Sequence, residues 1–305
     1  MPEDFHYGGQ AVIEGVMMRG QRNMAMAVRR PSGDLTLITR PIADARGGKM
    51  RKIPLLRGVV VLIETLVLGV RALFQSANIS LEEEKEDIAG PALWGILIAS
   101  LGFAVALFFL APLGLTHLID PHLGSSSLVS NIVEGVIRLA IFFLYLGAIN
   151  LLPDVRKVFA YHGAEHKVIN AYEDKAPLEV AAVRKYSTAH TRCGTAFLFT
   201  VLILAIIVFA LLGHPAMWLR ILSRIVLIPV IAAIGYEITR FSARYADNYL
   251  VRVLFIPGLA LQRMTTRQPD DSQLEAAIYA LNGVLEADNP QESGVLEAAG
   301  LQESG

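Results

Sequence analysis

Two long segments without a charged side chain constrain this sequence more than any other feature. They run from Ile88 to Thr116 and from Cys193 to Leu219, with His214 counted as neutral. Each is longer than the roughly 20 apolar residues that a helix needs to cross the hydrocarbon core of a bilayer. Because backbone polar groups inside a bilayer must be paired within the segment, such segments are expected to be helical. The sequence therefore predicts a membrane protein.

Two further segments, 132–152 and 221–239, predict additional spans. The first is apolar after Arg138, and the second is apolar between Arg224 and Glu237. A composition that is 53% hydrophobic and 18% charged agrees with this interpretation. The predicted fold is an all-α polytopic membrane protein with about four transmembrane helices, together with interfacial helices and a small N-terminal β element on the cytosolic side.

The distribution of basic residues predicts the orientation of the spans. Twelve Lys or Arg precede the first span, seven lie within 153–195 and five follow from Arg240 onward, whereas 117–131 contains none. Because Lys and Arg are enriched in cytoplasmic loops, both termini are predicted to lie in the cytoplasm. A net charge of -1 argues against a nucleic-acid partner, whose phosphates require a basic face.

A fifth apolar segment, 53–74, is interrupted by Arg57, Glu64 and Arg71 at intervals of seven residues. This spacing places a thin charged stripe along one side of a helix. If the segment crossed the membrane, the nine basic residues of 1–52 would lie outside, against the charge rule. We therefore expect an interfacial or re-entrant helix, either lying at the headgroups or turning its stripe toward a polar cavity.

These patterns divide the chain into five regions. Within residues 20–50, AMAVRR, the turn PSGD and LTLITRPI predict a β-hairpin. Near the C-terminus, Ser272 and Glu275 have the spacing of a capping box that opens an amphipathic helix. The predicted regions are a cytosolic glycine-rich and hairpin region at 1–52, the interfacial or re-entrant helix at 53–74, a four-span membrane domain at 88–239 with a cytosolic insert at 153–195, a cytosolic or interfacial helical region at 240–287, and a disordered tail at 288–305.

The stretch YHGAEHK carries the clearest chemical signal. His162, Glu165 and His166 have the H-x-x-E-H spacing, the inverted form of a zinc-protease motif. Residues four apart lie one turn above each other on a helix, so both imidazoles can reach one zinc ion at about 2.0–2.1 Å. Glu165 would then lie beside the ion and could accept a proton from a water whose pKa the ion lowers. The alternative is a pair of surface histidines that hydrogen-bond to the loop above them.

A metal site requires at least one more ligand. His190, in TAHTRCGT, is predicted to be the third, because it precedes the next span and returns to the same membrane level. If Cys193 also binds, the four-ligand shell is closed and structural, whereas three ligands and an open position are catalytic. Cys193 could instead be a small buried residue at a helix start. Glu237 and Asp247 are alternative oxygen ligands.

The N-terminal GGQAVIEGVMMRG combines four glycines with Gln10, Glu14 and Arg19. Such a backbone can turn sharply and approach another group closely. It is predicted to be a lid over the metal or a substrate clamp, and the alternative is a turn that packs the N-terminus onto the helices.

Four segments together resemble the YqhQ-like family of bacterial membrane proteins: GGQAVIEGVMMRG, YHGAEHK, HTRCGTAFL and QRMTTRQPDDSQLEAAIYAL. The resemblance covers about residues 7–287. It implies a multi-span protein of the inner membrane and a predicted metal-dependent enzyme, a label that itself rests on residues such as His162, Glu165 and His166.

We therefore expect a divalent metal, zinc first among the candidates, on His162, His166 and His190. Glu165 is the predicted general base in hydrolysis of a membrane-associated substrate, with Glu14 and Arg19 as polarising or substrate-contacting groups. The alternative is a non-catalytic scaffold, in which a metal joins the cytosolic loops and the C-terminal helix docks a partner protein. A transporter is disfavoured because the two longest spans carry no charge. The sequence does not determine the oligomeric state.

Overall fold

The computed structural model describes residues 7–42, 53–81, 90–122, 126–213, 215–245 and 248–289. The strands are β1 (Gly8–Val12), β2 (Gly15–Arg19), β3 (Asn23–Arg29) and β4 (Leu35–Pro41). The helices are α1 (Leu56–Ser80), α2 (Gly90–Val105), α3 (Ala111–Ile119), α4 (Ser127–Ile149), α5 (Pro153–Glu173), α6 (Val180–Val183), α7 (Gly194–Leu211), α8 (Met217–Arg244), α9 (Tyr249–Thr265) and α10 (Asp271–Asp288). A π-helical turn at Ala106–Leu110 joins α2 to α3, and a 3-10 turn at Asp120–His122 follows α3. Asp247, His214 and the predicted tail from residue 290 onward lie outside the described residues.

The N-terminal strands form an antiparallel sheet in the order β1-β2-β3-β4. The predicted hairpin is confirmed as β3 and β4, in which Arg29 pairs with Leu35. The glycine-rich segment 8–20 forms a second hairpin, made of β1 and β2. Its role as a lid or clamp stays a prediction. Gly15 is required there, because a Cβ atom would lie 2.0 Å from the carbonyl oxygen of Ala27 on β3.

Both faces of this sheet are covered by helices. On one face, the side chains of Val16, Met18, Ala25 and Ala27 belong to a core shared with α5 and α10. On the other face, apolar residues of the sheet pack against Ala72 and Ile79 of α1. These sheet residues are Val12, Met17, Met24, Met26 and Val28. Burial on both faces explains why the strand sequence MAMAV is apolar at every position rather than at alternate ones.

Four helical segments are long and apolar enough to cross a membrane, which confirms the predicted number. They are Trp94–His122, Ser127–Ile149, Gly194–Leu211 and Met217–Ser242. Large apolar side chains on them face outward, including Leu144 at 73% exposure and Leu211 at 78%. Such exposure is typical of surfaces that contact lipid, since soluble proteins rarely expose large contiguous apolar patches. These features indicate a membrane protein.

Two of these spans contain charged residues near one end. Helix α4 begins before Glu134 and Arg138, and α8 begins before Arg220 and Arg224. All four side chains are at most 5% exposed. The interior of the helical bundle is therefore charged at one end.

The fifth apolar segment forms α1, which ends at Ser80 rather than at residue 74. It lies against the sheet and against α8, where a Cβ atom on Gly58 would come within 3.1 Å of the Ala233 Cα atom. Arg57 pairs with Glu237 of α8, and its Nε lies 2.7 Å from the carboxylate. Arg57, the first charged residue of the predicted stripe, thus forms an ion pair between α1 and α8.

The sheet, α5 and α10 share one apolar core, so these three parts lie on the same side of the spanning helices. Two candidate spans separate the sheet from α5, and two more separate α5 from α10. An even number of crossings returns the chain to the side from which it left. The packing is therefore consistent with four spans, with α1 and α9 remaining on one side.

Helix α10 was correctly predicted, but its start was not. Asp270 is the N-cap, and its capping-box partner is Gln273, rather than Ser272 and Glu275. The side chains of Leu274 and Leu281 are fully buried against the sheet and α5. The face of α10 that carries these two leucines is thus covered within this chain. Docking of a partner protein on α10, as in the scaffold alternative, stays a prediction.

Candidate metal centre

Helix α5 presents His162 and His166 on one side, one turn apart. Pro153 at the first turn is favourable, since its missing N–H would have no partner within the helix. The two imidazole rings are 4.4 Å apart between centroids. His166 is 1% exposed, and His162 is partly exposed. The predicted pairing of the two rings along a helix is therefore present.

Each ring is held through its Nδ1 atom by a backbone carbonyl. His162 Nδ1 lies 2.8 Å from the oxygen of Thr265, and His166 Nδ1 lies 2.6 Å from the oxygen of Thr188. A carbonyl can only accept, so each Nδ1 carries the proton and donates it. In the neutral ring this leaves the lone pair on Nε2. Such outer contacts are typical of metal-binding histidines, whose second nitrogen is usually hydrogen-bonded.

The third group at this position is Cys193. Its Sγ lies 3.3 Å from His162 Nε2, and the candidate ligand atoms of His162, His166 and Cys193 all lie within 4.8 Å of one another. In a tetrahedral zinc site, bonds of about 2.0–2.3 Å separate the ligand atoms by roughly 3.5 Å. The three atoms are therefore close to the spacing that one ion requires, and the donor set suits zinc.

Cys193 is also the N-cap of α7, so it lies where a candidate membrane span begins. The backbone N–H of Thr195 donates to its Sγ at 3.3 Å. The thiolate is the form that binds metal. Cys193 is a small buried residue at a helix start, as the alternative interpretation expected. The same position brings its sulfur close to His162.

Glu165 lies beside this group of three. One carboxylate oxygen accepts a hydrogen bond from Gly9 N–H of β1 at 3.1 Å, and the other lies 3.5 Å from His166 Nε2. The carboxyl group is buried, with the residue 5% exposed. Its second oxygen thus points toward the position where Nε2 would bind an ion. Glu165 can serve there either as a fourth ligand or as a base.

The pKa of His166 reflects this environment. Burial lowers it, but the contact with Cys193 and the charge of Glu165 raise it more, and the pKa lies above its ordinary value. The surroundings therefore favour positive charge at this point.

A close approach of two segments sets the position of His162. The segment between α9 and α10 passes over α5, where the N–H of Arg267 donates to the carbonyl of Phe159 at 2.9 Å. A Cβ atom on Gly163 would lie 2.0 Å from the Arg267 oxygen. The missing side chain of Gly163 thus allows Thr265 to reach His162.

The loop that delivers Cys193 is anchored to α5 by polar side chains. Lys167 donates to the carbonyls of Arg184 and Tyr186, both at 2.7 Å. Asn170 donates to the carbonyls of Ser187 and Ala189. Burial lowers the pKa of Lys167. We call residues 184–193 the cysteine loop; together with His166, these contacts connect it to α5 through five carbonyl groups.

His190 lies in the cysteine loop, but it is not in the group of three. Its Nε2 is 3.5 Å from the Glu173 carboxylate, and its ring centroid is 5.7 Å from that of His166. Its backbone N–H and carbonyl form two hydrogen bonds with the Gln262 side chain of α9, at 2.9 and 2.8 Å. Cys193 rather than His190 thus lies in the group of three, and the His190 backbone connects the loop to α9.

The remaining predicted site residues lie elsewhere. Glu14, with φ of 53° in the β1–β2 turn, accepts from Lys157 at 2.6 Å, one turn before the histidines. Arg19 donates to the Thr65 hydroxyl of α1 at 3.3 Å. Glu237 pairs with Arg57, as described above. None of the three contacts the group formed by His162, His166 and Cys193 in the hydrogen bonds of the described residues.

Sequence reasoning missed Lys167, Gln262 and the two anchoring carbonyls. Lys167 directly follows His166, and a buried lysine beside a metal motif could have been noticed. The carbonyls of Thr188 and Thr265 have no sequence signal, because every residue has a carbonyl and only the fold selects these two.

Comparisons with known proteins agree with the resemblance. A family model described as "Protein of unknown function (DUF1385)" matches residues 53–287. The sequence is 33% identical over 293 residues to "Uncharacterized protein YqhQ" of Bacillus subtilis (strain 168), an alignment that covers 92% of each chain. No solved structure was found to match this chain.

Proposed function

We propose that this chain, which belongs to the DUF1385 family of proteins of unknown function, is a zinc-dependent hydrolase acting at the cytosolic face of the bacterial inner membrane. One observation carries the proposal: two Nε2 atoms and a cysteine sulfur converge, while both Nδ1 atoms are fixed by backbone carbonyls. A buried Glu165 carboxylate lies beside them. A bound zinc ion supplies Lewis acidity, which polarises a carbonyl or phosphoryl oxygen and acidifies water.

The chain's own residues have distinct roles in this proposal. His162, His166 and Cys193 bind the ion, and Glu165 accepts and returns a proton at the oxygen that faces His166. The Gly9 N–H orients that carboxylate by holding its other oxygen. The position of the site supports a membrane-associated substrate, because Cys193 is the N-cap of a candidate span. The basic residues of the sheet region and of 153–195 support the cytosolic side.

Metal content of the full-length protein, purified in a non-ionic detergent, tests the ligand set. We expect about one zinc ion per chain, and at least a tenfold loss of occupancy in His162→Ala, His166→Ala and Cys193→Ser. His117→Ala is the matched control, since His117 is an exposed histidine on α3. His190→Ala should retain the ion. A metal-free wild-type protein, prepared without chelators, would contradict the proposal.

Glu165→Gln separates a catalytic site from a structural one. We expect the variant to keep its zinc and to lose hydrolysis of p-nitrophenyl esters or p-nitrophenyl phosphate, the two probes for acyl and phosphoryl transfer. If the variant instead releases the ion, Glu165 is a fourth ligand and the shell is closed. That result would favour the scaffold function over the hydrolase.

A further inference from the structure

A second charged cluster lies inside the helical bundle, away from the metal centre. It comprises Glu134 and Arg138 of α4, Arg220 and Arg224 of α8, and Asp120 at the end of the first span. Glu134 lies two turns after the start of α4, and Arg220 lies in the first turn of α8. The metal centre is at the opposite ends of these helices, since α4 leads into α5 and Cys193 begins α7.

Glu134 is surrounded by guanidinium groups. Its carboxylate lies 2.6 Å from Arg138 Nη2, 2.7 Å from Arg224 Nη2 and 3.1 Å from Arg220 Nη2. The Phe209 ring of α7 lies 4.6 Å from the guanidinium carbon of Arg224, so one side of that group is covered. One carboxylate therefore holds three arginines together in the bundle interior.

The charges in this cluster do not balance. Among the described residues, three guanidinium groups face two carboxylates, which leaves one positive charge. The second carboxylate, on Asp120, is 3.9 Å from Arg220 Nη1 and also accepts from the Ser130 hydroxyl. An unbalanced guanidinium at membrane depth is destabilising unless it is paired or hydrated.

Arg220 also has an unused donor. The residue is 3% exposed, its two Nη atoms face Asp120 and Glu134, and its buried Nε has no hydrogen-bond partner. A buried donor without a partner is destabilising, and such groups are rare in proteins. The excess charge and the free donor, two separate observations, meet on one side chain.

We propose that this cluster is an anion-binding site, in which Arg220 Nε donates to a singly charged anion and the anion neutralises the excess positive charge. The site lies about one to two helical turns, roughly 5–10 Å, from the ends of α4 and α8. A free ion and a lipid phosphate group share the required chemistry. The site goes beyond the proposed hydrolase function and does not depend on it.

Thermal unfolding of the full-length protein in detergent tests the site. At constant ionic strength, replacing gluconate with chloride should raise Tm by about 2–4 °C, with saturation. Arg220→Gln should abolish this rise, because the substitution removes both the excess charge and the donor. Arg71→Gln is the matched control, an exposed arginine on α1, and should keep the rise.

A second variant keeps the test decisive if Arg220→Gln fails to fold. Asp120→Asn removes one negative charge at a partly exposed position, which increases the excess positive charge of the cluster, and should lower the half-saturating chloride concentration about fivefold or more. Bilayer nanodiscs distinguish the sources of the anion. If phosphatidylglycerol rather than chloride gives a rise that requires Arg220, a lipid phosphate occupies the site. Equal Tm values in all anions and lipids, a rise retained in Arg220→Gln, or an unchanged half-saturation in Asp120→Asn would overturn the proposal.

Discussion

At the scale of single residues, Gly163 shows how packing reverses a sequence-based expectation. Glycine inside a helix destabilises it by roughly 1 kcal/mol relative to alanine, so from the sequence Gly163 is expected to weaken α5. In the structure, the absent Cβ atom gives space to the Arg267 carbonyl. The residue that lowers the helix propensity of α5 therefore also permits the contact that orients His162.

We predict that Gly163→Ala destabilises the protein by about 1–3 kcal/mol, because its Cβ atom would clash with backbone that cannot move without displacing Thr265. Zinc affinity should fall as well. Gly147→Ala on α4 is the control, since a Cβ atom there meets nothing within 4 Å. Denaturant unfolding and zinc titration measure the two effects. Equal stability of the two variants would show that the segment after α9 is not held at this position.

The hydroxyl group of Tyr7 leads to a prediction about how stability depends on pH. Burial, together with the nearby Asp288, which accepts a hydrogen bond from its hydroxyl, raises its pKa from 10.0 to about 12. Because the folded state favours the neutral phenol, this contribution to stability is complete below pH 10 and is lost as the pH rises from 10 to 12. Tyr7→Phe should therefore show a shallower loss of stability in that window, measured by denaturant unfolding. Tyr279→Phe, at an exposed tyrosine, should follow the wild type; a wild-type slope in Tyr7→Phe would contradict the assignment.

At the scale of elements, the cysteine loop determines whether the three candidate ligand side chains meet. Cys193 and the two histidines come from segments about thirty residues apart in sequence, and the loop is positioned by side chains of α5 and α9. Lys167 contributes two of these contacts and carries a charge that burial makes costly. The candidate metal centre thus depends on contacts made by residues outside the group of three.

We predict that Lys167→Met lowers zinc affinity about 10–100-fold without removing any ligand, because the loop loses two hydrogen bonds that place Cys193. Competition with a zinc chelator measures the change. Lys185→Met, at an exposed lysine of the same loop, should leave the affinity unchanged. Wild-type affinity in Lys167→Met would mean that the loop is positioned by its other contacts.

At the scale of the whole molecule, the shared core of the sheet, α5 and α10 requires that three distant parts of the chain lie on one side of the spans. The apolar segments could be counted from the sequence, but only the distribution of basic residues argued against α1 as a fifth span. The packing provides a second reason, because a crossing by α1 would separate the sheet from α5.

We predict that Lys185→Cys and Tyr279→Cys react with an impermeant maleimide from the same side of the membrane, and that His122→Cys reacts from the other. The three positions are exposed, and Cys193, which is 6% exposed, gives the background in the wild-type protein. Labelling of intact cells and of lysed cells distinguishes the sides. Reaction of Lys185→Cys and Tyr279→Cys from opposite sides would contradict the even number of spans.

Sequence patterns predicted the elements that depend on local periodicity. The four spans, the β3–β4 hairpin and α10 follow from hydrophobic runs, alternation and helical spacing. The first hairpin was missed because buried strands with glycines do not alternate. In the candidate site, the i, i+4 spacing predicted the pair of histidines, whereas the sequence could not show which of His190 and Cys193 the loop brings to them.

The sequence alone determined that this is a membrane protein with four apolar helices and that two imidazoles share one helix face, because hydrophobic length and helical periodicity are local properties. Tertiary structure alone decided that Cys193 joins them, that His190 does not, and that three arginines surround Glu134. Those outcomes depend on side chains brought together from distant segments, and only the packing of helices and loops specifies which groups meet.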